Sequence, residues 1–358
     1  MPDNKKQHYV PKFYFKLFSG GDGQIGIYNI DRKQTFIGPI RTTAYEDNFY
    51  GKELEKTFTQ LEQKQAEIIN KIVTTQNFSG LTDEDYYVYL LSFITLQHSR
   101  TKTAREEAEK RVENFSEHII KPTMLADKEL KEKGINEEIL KRYKITYPGI
   151  HAFTMQVKLN SMVLISDLRP TLLVNKTPTD FIFSDHPVIF HNDYFNKIKH
   201  LGVKGLANPG LQIFCPLCNN VYLILYDPMY YEVDGESTEV INIDRDEDVD
   251  ELNKLQYYNC KENIFFKKQT EPEYVKNIHG NLGQIAKQEI KYDINKESPN
   301  VDGTVKEIHH TYATNIDYTP SLSFLKTKKM KIKSIKLYRN KELIELHREL
   351  LKKNTTSI

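Results

Sequence analysis

Apolar residues recur along this chain with two periods, and the change of period divides it. From about Lys52 to Val73, Leu54, Phe58, Leu61, Ile68, Ile69 and Ile72 fall at helical spacing. A second helix opens near Gly80. Thr82 is a candidate N-cap, and Asp83, Glu84 and Asp85 suit the positive end of the helix dipole. It is apolar on two sides (Tyr87, Leu90, Leu91 and Ile94; Tyr89, Phe93 and Leu96), as expected of a buried helix. It runs into Gln97-His98-Ser99-Arg100 and then into a charged stretch, Lys102 to Glu113. Lys121-Pro122 breaks the pattern. Two short charged helices are expected over 123–144, then a longer one from about Gly149 to Asp167.

At Arg169-Pro170 the texture becomes strand-like. Runs at Thr171 to Asn175, Phe181 to Ser184, Leu211 to Cys215 and Val221 to Tyr226 predict strands, with a turn at 216–220. Ile25 to Ile30 and Thr35 to Ile37 predict an early hairpin across Asp31-Arg32-Lys33-Gln34. Asp246 to Tyr258 reads as a helix, Ile264 to Phe266 as a strand, Pro272 to Lys291 as a helix and 292–305 as an exposed loop. Thr327 to Tyr338 alternates Lys with apolar residues, a solvent-facing strand, and Lys341 to Lys353 closes as a helix. The fold class expected is α+β. A helical half (about 50–168) packs on a mixed or antiparallel β-rich half (about 169–270) in a single integrated unit, residues 1–325. Residues 326–358 form a basic strand-helix extension.

Composition narrows the class. The 358 residues, 39% hydrophobic and 28% charged, fit a globular protein with a large core. Trp is absent, but 22 Tyr and 18 Phe supply rings to bury. The net charge of +1 gives no global steering field, yet Lys326 to Lys353 holds eleven Lys or Arg against three Glu. Three cysteines (Cys215, Cys218, Cys260) make no disulfide framework and fit a reducing compartment. No signal peptide and no apolar run of about 18 residues is visible, so a cytoplasmic protein without membrane association is expected.

Chemistry is most concentrated in Gln7-His8-Tyr9-Val10-Pro11, followed by Phe13-Tyr14-Phe15. His8 could serve as a general base or a metal ligand, beside Gln7; it could equally hydrogen-bond a carbonyl where the segment docks. Ser184-Asp185-His186-Pro187 leaves a strand, and Pro187 holds residue 186 extended. Asp185 could orient His8, bind a metal or accept a proton, with Ser184 donating; the other reading is a turn in which both tie down amides. Arg100 could clamp a phosphate bidentately, or pair with Glu53 or Glu62. Asn253 and Gln256 share a helix face and could complete a polar pocket. Cys215-Pro216-Leu217-Cys218 has knuckle spacing without a second pair. No Walker loop, metalloprotease motif or nucleophile elbow is present. The basic end, with Lys328, Lys329, Lys331, Lys333, Lys336 and Arg339, could lie on phosphates or be a solvated edge strand.

The opening pattern, Asn48-Phe49-Tyr50 with Glu53 and Glu62, Gln97 and Arg100, Phe183 to Val188, Pro216-Leu217, Asn253 to Gln256 and Phe265 together resemble a bacterial domain-of-unknown-function family, number 4238, over roughly residues 7–267. The resemblance implies no activity. It implies a set of polar positions that recur together: His8, Arg100, Ser184, Asp185 and Asn253. Members vary at the residue matching His186, and usually have Ser in place of Cys218.

The leading expectation is a hydrolase of a phosphate-containing substrate, a nuclease or nucleotide hydrolase, in a phage-defence or toxin setting. His8 and Asp185 would be catalytic, with Gln7, Arg100, Ser184, Asn253 and Gln256 binding substrate, and a divalent metal as the cofactor to consider. Alternatives are a non-catalytic sensing or interaction module with a structural His-Asp-Arg network, and a nucleic-acid binder using the basic end. Nucleic acid or nucleotide is the partner class; the oligomeric state is left open.

Overall fold

The computed structural model describes residues 6–47, 49–50, 52–196, 202–234, 239–282, 288–296, 307–314, 316, 318–329, 336 and 338–355, with the side chains of 52–56, 296 and 353–355 outside the description. It is an α+β fold with helices and sheets in one unit. A five-stranded mixed sheet is its centre, in the order Val240–Ile243, Arg169–Asn175, Val221–Tyr226, Gln212–Cys218, Ile189–His191. Only the first pair is parallel.

Alternation across the pleat builds two cores from this sheet. Leu172, Ile213, Cys215, Leu223 and Leu225 face the helical half, meeting Ile69, Ile72, Phe93 and Ile94. Leu173, Phe214, Tyr222 and Ile224 face the helix Asp246–Asn259 through Val249, Leu252 and Leu255. Covered on both sides, these strands are buried throughout, which is why they read as continuous apolar runs. The strand of the Cys-Pro-Leu-Cys segment therefore extends to Cys218, and burial pushes the Cys218 thiol up to about 11.

A second, antiparallel sheet orders Gln34–Pro39, Gln24–Asn29, Asn263–Phe266 and Phe183–Ser184, and includes the expected early hairpin. A Cβ at Gly26 would strike the Phe266 ring, so glycine is needed there for close approach.

The opening stretch forms a short strand, Lys6–His8, paired with Tyr45–Asp47, and a helix, Lys12–Phe18. Pro11 precedes the helix and its carbonyl accepts from the Tyr14 and Phe15 amides; Gly20, at φ +69°, follows its end. Tyr14, Phe15 and Phe18 make one buried stripe. Phe15 packs on Phe183 and Phe265 with ring centroids 5.2 and 4.9 Å apart, and Phe18 sits 4.4 Å from Phe183. The Tyr14 hydroxyl donates to the Pro216 carbonyl.

Three expectations change. The helix beginning at Pro272 ends at Asn281, and Ile290–Lys296 is a strand paired with Glu307–Ala313, where a helix end and a loop were expected. Ile290, Tyr292 and Ile294 alternate with Lys291 and Asp293, a period of two that the longer helical reading overrode. The loop's remainder, 297–305, lies outside the described residues. Of the expected 327–338 strand, only Thr327 is in a strand among the described residues, at the end of Leu325–Thr327, which pairs with Tyr231–Val233; residues 330–335 and 337 lie outside the described residues. The closing helix, Lys341–Thr355, lays Leu343 and Ile344 on the main core. Arg339 anchors it by pairing with Asp167 at 2.9 Å and donating to the Leu206 and Asn208 carbonyls. Among the described residues, no helix is long and apolar enough to cross a membrane.

Candidate functional site

The polar residues prominent in the sequence bind the protein's own backbone. The Asp185 carboxylate accepts from the Lys261, Glu262 and Asn263 amides at 2.9, 2.8 and 3.0 Å. Burial pushes its pKa up, and those three amides pull against the shift. Gln256 accepts from the Ser184 amide and hydroxyl and donates to the Pro187 carbonyl. Asn253 accepts from the Ile182 amide and donates to the Asp180 carbonyl. The helix Asp246–Asn259 thus satisfies backbone groups of residues 180–187 that have no strand partner on that edge.

Arg100 is a structural clamp as well. It pairs with Glu62 at 2.6 Å and donates to the His8 carbonyl at 2.7 Å and to the Tyr50 hydroxyl at 3.2 Å. Burial works against its charge, but Tyr50 and Glu62 hold its pKa above the ordinary value. Gln7 accepts from the Tyr50 amide. Burial, with Lys12 adding, lowers the His8 pKa to about 4, against the pull of the Ile40 and Arg41 backbone. His8 and Asp185 share no hydrogen bond. The polar atoms of Gln7, Arg100, Ser184, Asp185, Asn253 and Gln256 named above thus have partners inside the fold, whereas His8 Nε2 is buried without one.

A different set converges. A cavity of about 320 Å³ lies between the helices Lys102–Phe115 and Ile150–Asn160, the Gly202–Gly205 segment and the paired strands Ile290–Lys296 and Glu307–Ala313. The first helix presents Ala104, Glu107, Ala108 and Arg111, positions i, i+3, i+4 and i+7 of one face. The two alanines leave room that larger side chains would fill. Ile150–Asn160 adds Lys158, and the 202–205 segment adds Lys204. His98 and His186 form the inner wall, with ring centroids 4.9 Å apart, and Phe190 stacks on His98 at 4.0 Å. Gln288, Thr311 and Tyr312 form the roof.

The electrostatics are unusual for a core. Burial lowers the pKa of Lys158 and of Lys204 to about 8, opposed in each by Glu107. Burial raises that of Glu107, opposed by Lys204, Arg111 and Lys158. Yet no ion pair within 4.0 Å joins Glu107 to any of the three among the described residues. Lys204 donates to Gln288 and to the Thr314 carbonyl, at 2.7 and 2.9 Å, and Arg111 to the Thr311 carbonyl at 2.7 Å. Burial pushes His98 well below the usual imidazole range and His186 to about 3, so both are neutral at pH 7. His186 Nδ1 pairs with the Thr101 hydroxyl at 2.7 Å, whereas His98 Nδ1 is buried without a hydrogen-bond partner.

A family model described as Protein of unknown function (DUF4238) matches residues 6–270. The chain belongs to this family. No curated protein and no solved structure matches it. The DUF4238 span contains the floor and walls of the cavity, His98 to Lys204, while the roof from Gln288 to Ala313 lies beyond it.

Two cavity residues lie beside residues prominent in the sequence. His98 is two residues before Arg100, and His186 follows Asp185. At the bend Asp185-His186 the two side chains diverge: Asp185 reaches the 261–263 loop while His186 lines the cavity. The signal for the cationic face was the Ala-x-x-Glu-Ala-x-x-Arg spacing from Ala104 to Arg111, inside a stretch whose charges looked solvated. Among the described residues, no group of three or more His, Cys, Asp or Glu is arranged to hold a metal ion.

Proposed function

We propose that this DUF4238 chain binds a small phosphate-bearing ligand in the 98–313 cavity and hydrolyses it. One observation carries the reading: three cations and a carboxylate line one cavity without pairing to each other. Holding like charges half-buried costs free energy unless a counter-charge compensates. An anion among Arg111, Lys158 and Lys204 would supply it. The guanidinium offers a planar fork for phosphate oxygens and the ammonium groups act as point charges.

In this reading His98 handles the proton. Its buried Nδ1 is available as an acceptor, and its low proton affinity keeps it neutral, as a base must be before it acts. The cations would hold the charge that grows on the phosphate oxygens. A divalent ion would meet three positive charges here, so the donor set favours metal-free chemistry. The cytoplasm is the setting we favour, since all three cysteines are free thiols. A non-catalytic sensor would use the same cavity without turnover.

Isothermal titration of the intact chain with inorganic phosphate tests the binding step. Saturable binding that Lys204→Met weakens about tenfold or more is expected, from loss of one charge-assisted contact. Absence of binding, or binding indifferent to Lys204→Met and Lys158→Met, would overturn it. His98→Gln should keep phosphate binding and lose turnover of phosphoesters; retained turnover would refute the role of His98, and a parent protein that binds phosphate but turns over no phosphoester would be a sensor.

A further inference from the structure

A second cavity of about 280 Å³ abuts the first and shares His186, Asn259 and Gln288 with it. Its own walls are Thr103, Glu106, Tyr258, Cys260 and Lys261. The two chambers differ in chemistry. The first concentrates positive charge. The second holds a paired acid and base, Glu106 with Lys261, a hydroxyl, and one large ring. Tyr258 is backed by Tyr318, stacked at 4.5 Å and 14°, so that ring is a stiff platform.

The wall between the chambers is a hydrogen-bonded chain of side-chain amides. Gln288 accepts from Lys204 at 2.7 Å and donates to Asn259 Oδ1 at 3.3 Å, and Asn259 Nδ2 donates to the His186 carbonyl. Amides bridging two cavities can exchange these bonds for those of a hydroxylated linker such as a pentose.

We propose that the pair of chambers takes a nucleoside monophosphate: the phosphate among Arg111, Lys158 and Lys204, the sugar against Asn259 and Gln288, and the base over Tyr258 with its edge toward Glu106 and Lys261. This rests on the phosphate reading above and names its ligand class. The first chamber lies just above and the second just below the lower limit of small-molecule sites, roughly 300 Å³. The two in series match a ligand with a charged end and a planar end. Stacking on one ring tolerates any base, so the discrimination among bases falls to Glu106 and Lys261.

The test compares ribose 5-phosphate with AMP, GMP, CMP and UMP by isothermal titration of the full chain. At least one nucleotide should bind about tenfold more tightly than ribose 5-phosphate, the contribution of one stacked base. Tyr258→Leu and Glu106→Ala should each remove most of that advantage and leave ribose 5-phosphate affinity unchanged. Glu106 is exposed, so its variant should fold even if the other does not. Nucleotides binding no better than ribose 5-phosphate, while ribose 5-phosphate depends on Lys204, would overturn the nucleotide proposal and leave the phosphate reading standing. If no phosphate compound binds at all, both fall.

Discussion

Asp185 is the residue at which a structural and a catalytic role predict opposite results. Asp185→Ala removes three hydrogen bonds of 2.8 to 3.0 Å from the Lys261, Glu262 and Asn263 amides to a buried carboxylate. A bond to a charged acceptor contributes about 1.5–3 kcal/mol net, but the loop is part-exposed and can turn its amides to water. A loss of about 3–4 kcal/mol is therefore expected, a large part of a typical 5–15 kcal/mol. Asp185→Asn keeps one acceptor and aims an NH₂ at a donor, so about 2–3 kcal/mol should be lost. With no Trp and 22 Tyr, urea unfolding is followed by tyrosine fluorescence or circular dichroism. At a slope of about 3 kcal/mol per molar urea, the alanine variant's midpoint should fall by about 1 M. Below the transition it should bind phosphate like the parent. An unchanged midpoint together with lost binding or turnover would refute this reasoning and return Asp185 to the working site.

Four further outcomes are expected. Arg100→Lys cannot reach Glu62, the His8 carbonyl and Tyr50 at once, and should cost about 2–4 kcal/mol in the same unfolding assay without altering phosphate affinity. Phosphate affinity should fall as pH rises through about 8, where Lys158 and Lys204 lose their protons; a bound anion raises both pKa values, so titration near that pH in buffers of different ionisation enthalpy should show proton uptake. In the ligand-free protein the folded pKa of these lysines lies below the unfolded 10.5, so between about 8 and 10.5 the unfolded chain holds more protons and their contribution to stability increases with pH. Arg339→Ala, which removes the pair with Asp167 and bonds to three carbonyls, should make the closing helix accessible to limited proteolysis while the 169–270 region stays protected.

Much of the fold was legible because its elements have uniform environments. The buried Val221–Tyr226 and Gln212–Cys218 strands, the two-sided helix around Phe93 and the hairpin at Asp31 each announce themselves by period. The Ile290–Lys296 strand was hidden because its alternation follows directly on a helical stripe. The site was harder, for a physical reason. Asp185, Arg100, Asn253 and Gln256 stand out as polar residues in apolar surroundings, and such residues are most often there to satisfy buried backbone. Glu107, Arg111, Lys158 and Lys204 come from three segments that only the fold brings together, and each has an ordinary surface context locally.

The contact of Phe15 with Phe183 and Phe265 also sets a timetable for the chain. The first helix cannot bury its rings until residue 266, the end of its partner strand, has left the ribosome. At about 5–20 residues per second that wait lasts roughly 12–50 s. During it Tyr14, Phe15 and Phe18 are exposed on the nascent chain, a natural binding segment for a chaperone. Slowing translation between residues 19 and 266 should therefore cost yield through these three rings, and replacing them with smaller apolar residues should trade native stability for a less hazardous synthesis.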